Sequence, residues 1–114
     1  MKKQEVYINM FDVVVVFTYG KKSYAKYLKN HYNLDKELKH AGVTVELQSD
    51  RLYDIVIGIR KCKNIDDLRH VMVHEISHVT TYIMNHYGIE CDEFRAYLTQ
   101  YLYKKGQDFI EKVH

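Results

Sequence analysis

Apolar residues recur with strand-like spacing in three stretches of the chain. VVVVFTY, residues 13–19, is β-branched and apolar and is closed by Gly20, which predicts a buried strand. VTVEL at 43–47 and YDIVIGI at 53–59 predict two further strands. The polar QSDR that separates them, residues 48–51, predicts a hairpin turn.

A helical period replaces the strand-like one between the first two of these strands. Residues 21–41 carry apolar side chains every three or four positions, with charged residues between them. The pattern predicts a helix that is broken near Asn33 and stopped by Gly42.

The second half of the chain predicts two long helices. Asn64 is a favoured N-cap, and Asp66 and Asp67 put negative charge in the first turn, where the helix dipole stabilises it. The apolar stripe that follows is about five turns long and ends at Gly88, a favoured helix stop. It consists of Leu68, Met72, Ile76, Val79 and Ile83.

The last predicted helix runs from about Cys91 to beyond Tyr103. Phe94, Leu98 and Tyr101 are expected on its buried side. The resulting order is strand, helix, two strands and two helices, which predicts one small α+β domain.

Composition limits the classes of partner. The 114 residues suffice for one hydrophobic core, and 17 basic against 15 acidic residues give a net charge of only +2. The Lys-Lys doublets at 21–22 and 104–105 are expected to be solvated surface, so no nucleic-acid partner is predicted. The longest apolar run, VVVVF, is too short to span a membrane. Two cysteines, Cys62 and Cys91, predict reduced thiols in a cytoplasmic protein.

The sequence HEISH, residues 74–78, is the clearest chemical signal. His74 and His78 lie four residues apart on one helix face, roughly opposite the apolar stripe, so both point away from the core. Two neutral imidazoles at this spacing can bind one zinc ion. Glu75 falls beside the metal, where it can take a proton from a zinc-bound water. His-Glu-x-x-His on a helix is a signature of zinc metallopeptidases.

Zinc needs a third protein ligand, and GIECDEFRAYL supplies three candidate acids. Glu93 is preferred because it lies deepest in the last helix, and because the small Ala96 one turn later permits a close approach of the preceding helix. Glu90 and Asp92 are the alternatives, although both resemble capping carboxylates of a first turn. His70, one turn before the motif, is expected to be a surface residue.

HEISH followed by DEFRAY resembles the gluzincin branch of the zincin superfamily, especially the single-domain minigluzincins and small phage-type metallopeptidases. The resemblance implies one zincin-like domain over 1–114, with a short mixed or antiparallel sheet, a backing helix, an active-site helix and a glutamate helix. It implies His74, His78 and Glu93 as zinc ligands and Glu75 as general base. It also implies that YDIVIGI forms the rim of the cleft and pairs with an extended peptide.

Two departures from larger gluzincins bear on activity. An aspartate that supports a zinc ligand in those enzymes is replaced by Tyr97, and no second domain supplies an oxyanion-stabilising residue. Tyr97 and Tyr82 are the candidate stabilisers, with His86 and Tyr53 as further ones. The expected function is a zinc-dependent metallopeptidase acting on a peptide or protein in the cytoplasm, the host's if the chain is phage-encoded. The alternative is a weakly active or inactive zinc-stabilised binding or structural protein.

Overall fold

Strands and helices follow one another in the order β, β, α, β, β, α, α. A computed structural model describes residues 2–48 and 53–114, and the described residues form four strands, three α-helices and a short 3-10 turn at Asn9–Phe11. The elements are β1 (Lys3–Ile8), β2 (Val13–Tyr19), α1 (Lys21–Tyr32), β3 (Gly42–Gln48), β4 (Tyr53–Ile59), α2 (Ile65–His86) and α3 (Asp92–Val113).

The strands form a mixed sheet in the order β1-β2-β4-β3. The central strands β2 and β4 are parallel, with Val15 opposite Ile55, and β1 and β3 pair antiparallel on the two outer sides. Because β4 lies parallel to β2, the chain must cross from one end of the sheet to the other between them. The helix α1 lies within that crossover.

The sheet has a hydrophobic core on each face. The larger core joins one face of the sheet to α2 and α3, and the smaller one joins the other face to α1. The apolar stripe predicted for α2 is confirmed, since each of its five residues is at most 1% exposed. The α+β class is also confirmed. No helix in the described ranges is long and apolar enough to cross a membrane.

The structure differs from the predicted elements in three places: at β1, at the end of α1 and in the register of α3. The strand β1 was not predicted, because its first three residues are polar and only Val6 in it is buried. The predicted helix 21–41 ends at Tyr32, where Asn33 takes the left-handed conformation with φ 55° and donates its backbone N–H to the Lys29 carbonyl. The turn predicted at 48–51 lies beyond Gln48, outside the described residues.

The third correction concerns the register of α3. Tyr101, expected on the buried side, is 41% exposed, whereas the adjacent Leu102 is fully buried. Leu98 is buried as predicted, and Phe94 is half-buried. The buried side of α3 therefore follows Leu98, Leu102 and Phe109, a line rotated from the predicted one.

Candidate metal centre

The helix α2 is fixed at its start and along its buried stripe, and this fixes the direction of the histidine motif. The Asn64 side-chain oxygen accepts hydrogen bonds from the backbone N–H groups of Asp66 and Asp67, at 2.9 and 3.2 Å. At the other end the chain leaves the helix through Gly88, with φ +66°. With the stripe buried against the sheet, the opposite face of α2 is left facing outward.

His74 and His78 lie on that outward face, as predicted, and their Nε2 atoms are 3.2 Å apart. The two rings are nearly perpendicular, with centroids 4.8 Å apart. Two nitrogens that each lie about 2.0–2.1 Å from a tetrahedral zinc ion are separated by about 3.3 Å. The pair therefore has the separation that a shared metal ion requires. An N–H···N hydrogen bond, with one Nε2 protonated, has a similar length.

Glu75, between the two histidines in sequence, is only 4% exposed and is held by the sheet. Its Oε1 accepts a hydrogen bond of 2.7 Å from the hydroxyl of Thr44 on β3. The same hydroxyl lies 3.3 Å from the backbone carbonyl oxygen of Glu75. A strand residue thus fixes both the side chain and the backbone of the candidate base.

Gly42, at the start of β3, allows this contact. A Cβ atom added there would lie 2.9 Å from Oε2 of Glu75 and 2.6 Å from Cγ1 of Val71. Real Cβ atoms do not approach other heavy atoms so closely, so only glycine lets the strand lie against this part of α2. The sequence pattern indicated Gly42 only as a helix stop, and it gave no signal that Gly42 and Thr44 belong to the site.

The three candidate acids do not complete a ligand set around the histidine pair. Glu90, Asp92 and Glu93 are all exposed, and Asp92 and Glu93 both lie in the first turn of α3. Within the described ranges, no three His, Cys, Asp or Glu side chains are grouped so as to hold a metal ion. Among the described residues, no third ligand is placed beside His74 and His78.

One of the two reasons given for preferring Glu93, the close approach of the helices at Ala96, is wrong. Ala96 is exposed and does not mark the close approach of α2 and α3. That approach occurs at Gly106, where an added Cβ would lie 2.7 Å from Cγ of Met72. Since the helices meet along the Gly106 side of α3, Glu93 is not held against α2.

Other side chains of α3 reach α2 near the histidines. The Arg95 guanidinium donates a hydrogen bond to the Thr81 hydroxyl at 3.3 Å, and the Thr99 hydroxyl lies 3.1 Å from that of Thr80. Thr81 is three residues after His78, so it is a neighbour of His78 on the helix surface. Arg95 therefore brings a positive charge to the turn of α2 that follows His78, a feature that was not predicted from the sequence.

The candidate stabilisers occupy different surroundings. Tyr82 is half-buried, with its ring centroid 6.4 Å from that of His78, whereas Tyr97 is 69% exposed. Tyr53 is buried, stacks on His86 at 3.9 Å and donates its hydroxyl to Glu46. Burial and that hydrogen bond raise the pKa of Tyr53 well above its ordinary value, so its phenol stays protonated. Tyr82 is thus the tyrosine nearest the pair.

His70 lies one turn before His74 on α2 and is exposed, as predicted. Cys91 is also exposed and occupies the N-cap position of α3. The thiols of Cys91 and Cys62 are free, as predicted.

The edge strand next to the site is β3. The predicted rim strand β4 is paired with β2 on one side and with β3 on the other, so it has no free edge for an added peptide. The strand β3 pairs only with β4 in the sheet order, and its Thr44 contacts the motif directly.

Comparisons with known proteins gave no relative: the chain matches no family model, and no curated protein or solved structure is significantly similar to it.

Proposed function

We propose that the protein is a zinc-dependent peptidase in which His74 and His78 hold the metal and Glu75 is the general base. The observation that carries the proposal is the 3.2 Å separation of the two Nε2 atoms on an exposed helix face. A buried carboxylate lies directly between them in sequence. The proposed residue roles are those implied by the likeness of HEISH and DEFRAY to gluzincins.

When bound, zinc lowers the pKa of a coordinated water to about 7 and polarises a carbonyl oxygen. Glu75 accepts a proton from the attacking water and passes it to the leaving amine. Its Oε1 is engaged by Thr44, which leaves Oε2 as the oxygen that exchanges the proton. A carboxylate that Thr44 already orients loses little freedom when it accepts the proton and passes it on.

A third ligand from α3 is part of the proposal, and Glu93 stays the preferred one on the resemblance alone. Glu90, Asp92 and Glu93 lie at or just before the first turn of α3, so metal binding by one of them requires this turn to move toward the pair. Glu93→Gln should then weaken zinc binding more than Glu90→Gln or Asp92→Asn. Equal zinc affinity in all three variants would remove the α3 acids from the ligand set.

The peptide is proposed to bind along β3, adding a strand antiparallel or parallel to the free edge. Arg95 is proposed to stabilise the negative charge that develops on the scissile carbonyl oxygen, with Tyr82 and Tyr97 as the other candidates. Arg95 is preferred because its guanidinium already reaches Thr81, next to His78.

The test compares the wild type with Glu75→Gln, both loaded with zinc, on a mixture of unstructured peptides. The wild type should cleave peptide bonds, and the variant should bind zinc equally and lose about 10²–10⁴-fold in rate. The matched control is Glu37→Gln, which removes a carboxylate from an exposed position outside the motif and outside the candidate ligand set. Equal cleavage by Glu75→Gln would refute its role as base.

A second candidate function is a zinc-stabilised binding or structural protein with little turnover. The observation that favours it is Tyr97, which stands where larger gluzincins carry the aspartate that supports a zinc ligand and which is 69% exposed. Cobalt substitution distinguishes the two functions through the visible spectrum of the bound ion. A thiolate absorption that disappears in Cys91→Ser would support a closed structural site, and its absence together with peptide cleavage would support the peptidase.

A further inference from the structure

A cavity of about 610 Å³ lies around the start of α1, away from the histidine motif on α2. Its lining includes six basic residues that come from three separate parts of the sequence, and it includes no acidic residue. The basic residues are Lys2, Lys21, Lys22, Lys26, Arg60 and Lys61. They are six of the 17 Lys and Arg residues in a chain whose net charge is only +2.

Backbone groups and an aromatic ring, rather than carboxylates, hold several of these cations. The Lys2 ammonium lies 5.6 Å from the centre of the Tyr19 ring, and Arg60 donates to the backbone carbonyl of Lys39 at 3.2 Å. The stem of Lys61 crosses Gly20, where an added Cβ would lie 3.1 Å from its Cε. Among the described residues, no ion pair includes any of the six. Their mutual repulsion is therefore uncompensated within this part of the protein.

The fold adds partial positive charge at the same place. The carboxyl ends of the parallel strands β2 and β4 meet here, and the backbone N–H of Gly20 donates to the Ile59 carbonyl at 2.7 Å. The first turn of α1 has no side-chain cap and no acidic residue, so its free N–H groups point toward the cavity end of the helix. Lysines at 21 and 22 are unfavourable next to this positive helix end unless an anion is bound.

We propose that this cavity binds a chain of phosphate groups, as in inorganic polyphosphate or a nucleoside triphosphate. Six cations suit a multiply charged anion better than a single carboxylate, and N–H groups at a helix start suit tetrahedral oxyanions. The only aromatic residue in the lining, Tyr19, is 6% exposed and offers no face on which a base could stack. Recognition therefore depends on the phosphates and not on a base.

The test is isothermal titration of metal-free protein with tripolyphosphate and, separately, with ATP. Both should bind at one site per chain with similar affinity, and added salt should weaken both. The double variant Lys21→Ala, Lys22→Ala should bind at least about tenfold more weakly, since each lost contact is to a charged group. Its matched control is Lys104→Ala, Lys105→Ala, which removes the other lysine doublet and should bind as the wild type does.

Thermal unfolding provides the folding control. Without phosphate, the Lys21, Lys22 variant should melt at or above the wild-type temperature, because two positive charges leave the helix start. Absence of saturable binding, or equal weakening in the two double variants, would overturn the proposal. Tighter binding of a single-stranded oligonucleotide than of tripolyphosphate would overturn it too, and would indicate a nucleic-acid surface. The outcome does not depend on the histidine pair, because the protein is metal-free.

Discussion

The position of Glu75, the candidate general base, is fixed by single residues on the edge strand β3. Thr44 binds the carboxylate of Glu75, and Gly42 leaves the space in which Oε2 lies. A side chain on α2 thus owes its position to β3, about thirty residues earlier in the chain. Such a long-range contact has no local sequence signal, and this explains why the motif was predicted and its support was not.

Gly42→Ala should destabilise the fold by about 1–3 kcal/mol, because the added methyl group overlaps Val71 and Glu75 and must push β3 away from α2. Chemical denaturation measures the change. The control is Gly88→Asn, which keeps a residue that tolerates the left-handed conformation and faces open space. A Gly42→Ala variant as stable as the control would mean that β3 does not approach α2 this closely.

The preference for Glu93 depended on the predicted register of α3, which was wrong. With Tyr101 taken as buried, Glu93 falls on the flank of the buried side. With Leu102 buried instead, Glu93 lies about 180° away from it around the helix, since nine residues turn through roughly 100° each. Three tyrosines of α3, Tyr97, Tyr101 and Tyr103, are exposed although their residue type suits a buried side, so the two registers were hard to separate from the sequence.

At the scale of elements, adjacent residues of α3 test the register of that helix. Leu102→Ala should lower the free energy of unfolding by about 2–5 kcal/mol, because it leaves a cavity in the core between the sheet and the two long helices. Tyr101→Ala should change it by about 0.5 kcal/mol or less, since that ring is largely exposed. Similar losses in both variants would contradict the observed register.

The contact between α1 and β4 includes a carboxylate that titrates abnormally. Burial, with a smaller contribution from Glu5, raises the pKa of Asp54 above its ordinary value of 3.8, while His31 acts in the opposite direction. The Tyr32 hydroxyl donates to one oxygen of this carboxylate, and the other oxygen is buried without a partner. The folded state therefore holds a proton that the unfolded state has already released.

This stabilising effect is fully present below about pH 4 and is lost as the pH rises through the raised folded pKa of Asp54. Asp54→Asn should therefore gain stability relative to the wild type as the pH increases from 4 to 7, measured by denaturation at each pH. Tyr32→Phe keeps the charge and removes the donor, so it should be destabilised at both pH values. An Asp54→Asn difference that stays constant with pH would contradict the raised pKa.

The local sequence pattern predicted the elements in which apolar residues recur strongly, and it missed β1, in which they do not. The strand β2 has four consecutive valines and α2 has a complete apolar stripe, and both were predicted closely. The strand β1 has a polar sequence because it is an outer strand with only one fully buried residue. The order of strands in the sheet, which makes β3 and not β4 the free edge, depends on long-range pairing and is not encoded in any one segment.

At the scale of the whole molecule, the basic cavity and the histidine pair lie on different elements. The histidine pair lies on the outward face of α2, whereas the basic cavity lies at the start of α1. A net charge of +2 concealed this cavity, because the sum does not record that six cations from distant parts of the sequence converge. Lys21 and Lys22 are exposed, as predicted, but they also line this cavity beside four other cations, which the sequence did not indicate.

The most direct test of the account is a zinc titration of metal-free wild type, His74→Ala, His78→Ala and His70→Ala. The wild type and His70→Ala should bind one zinc ion per chain, and either motif variant should bind at least about a hundredfold more weakly. Zinc binding that survives in both motif variants, or that is absent from the wild type, would contradict a metal centre at His74 and His78.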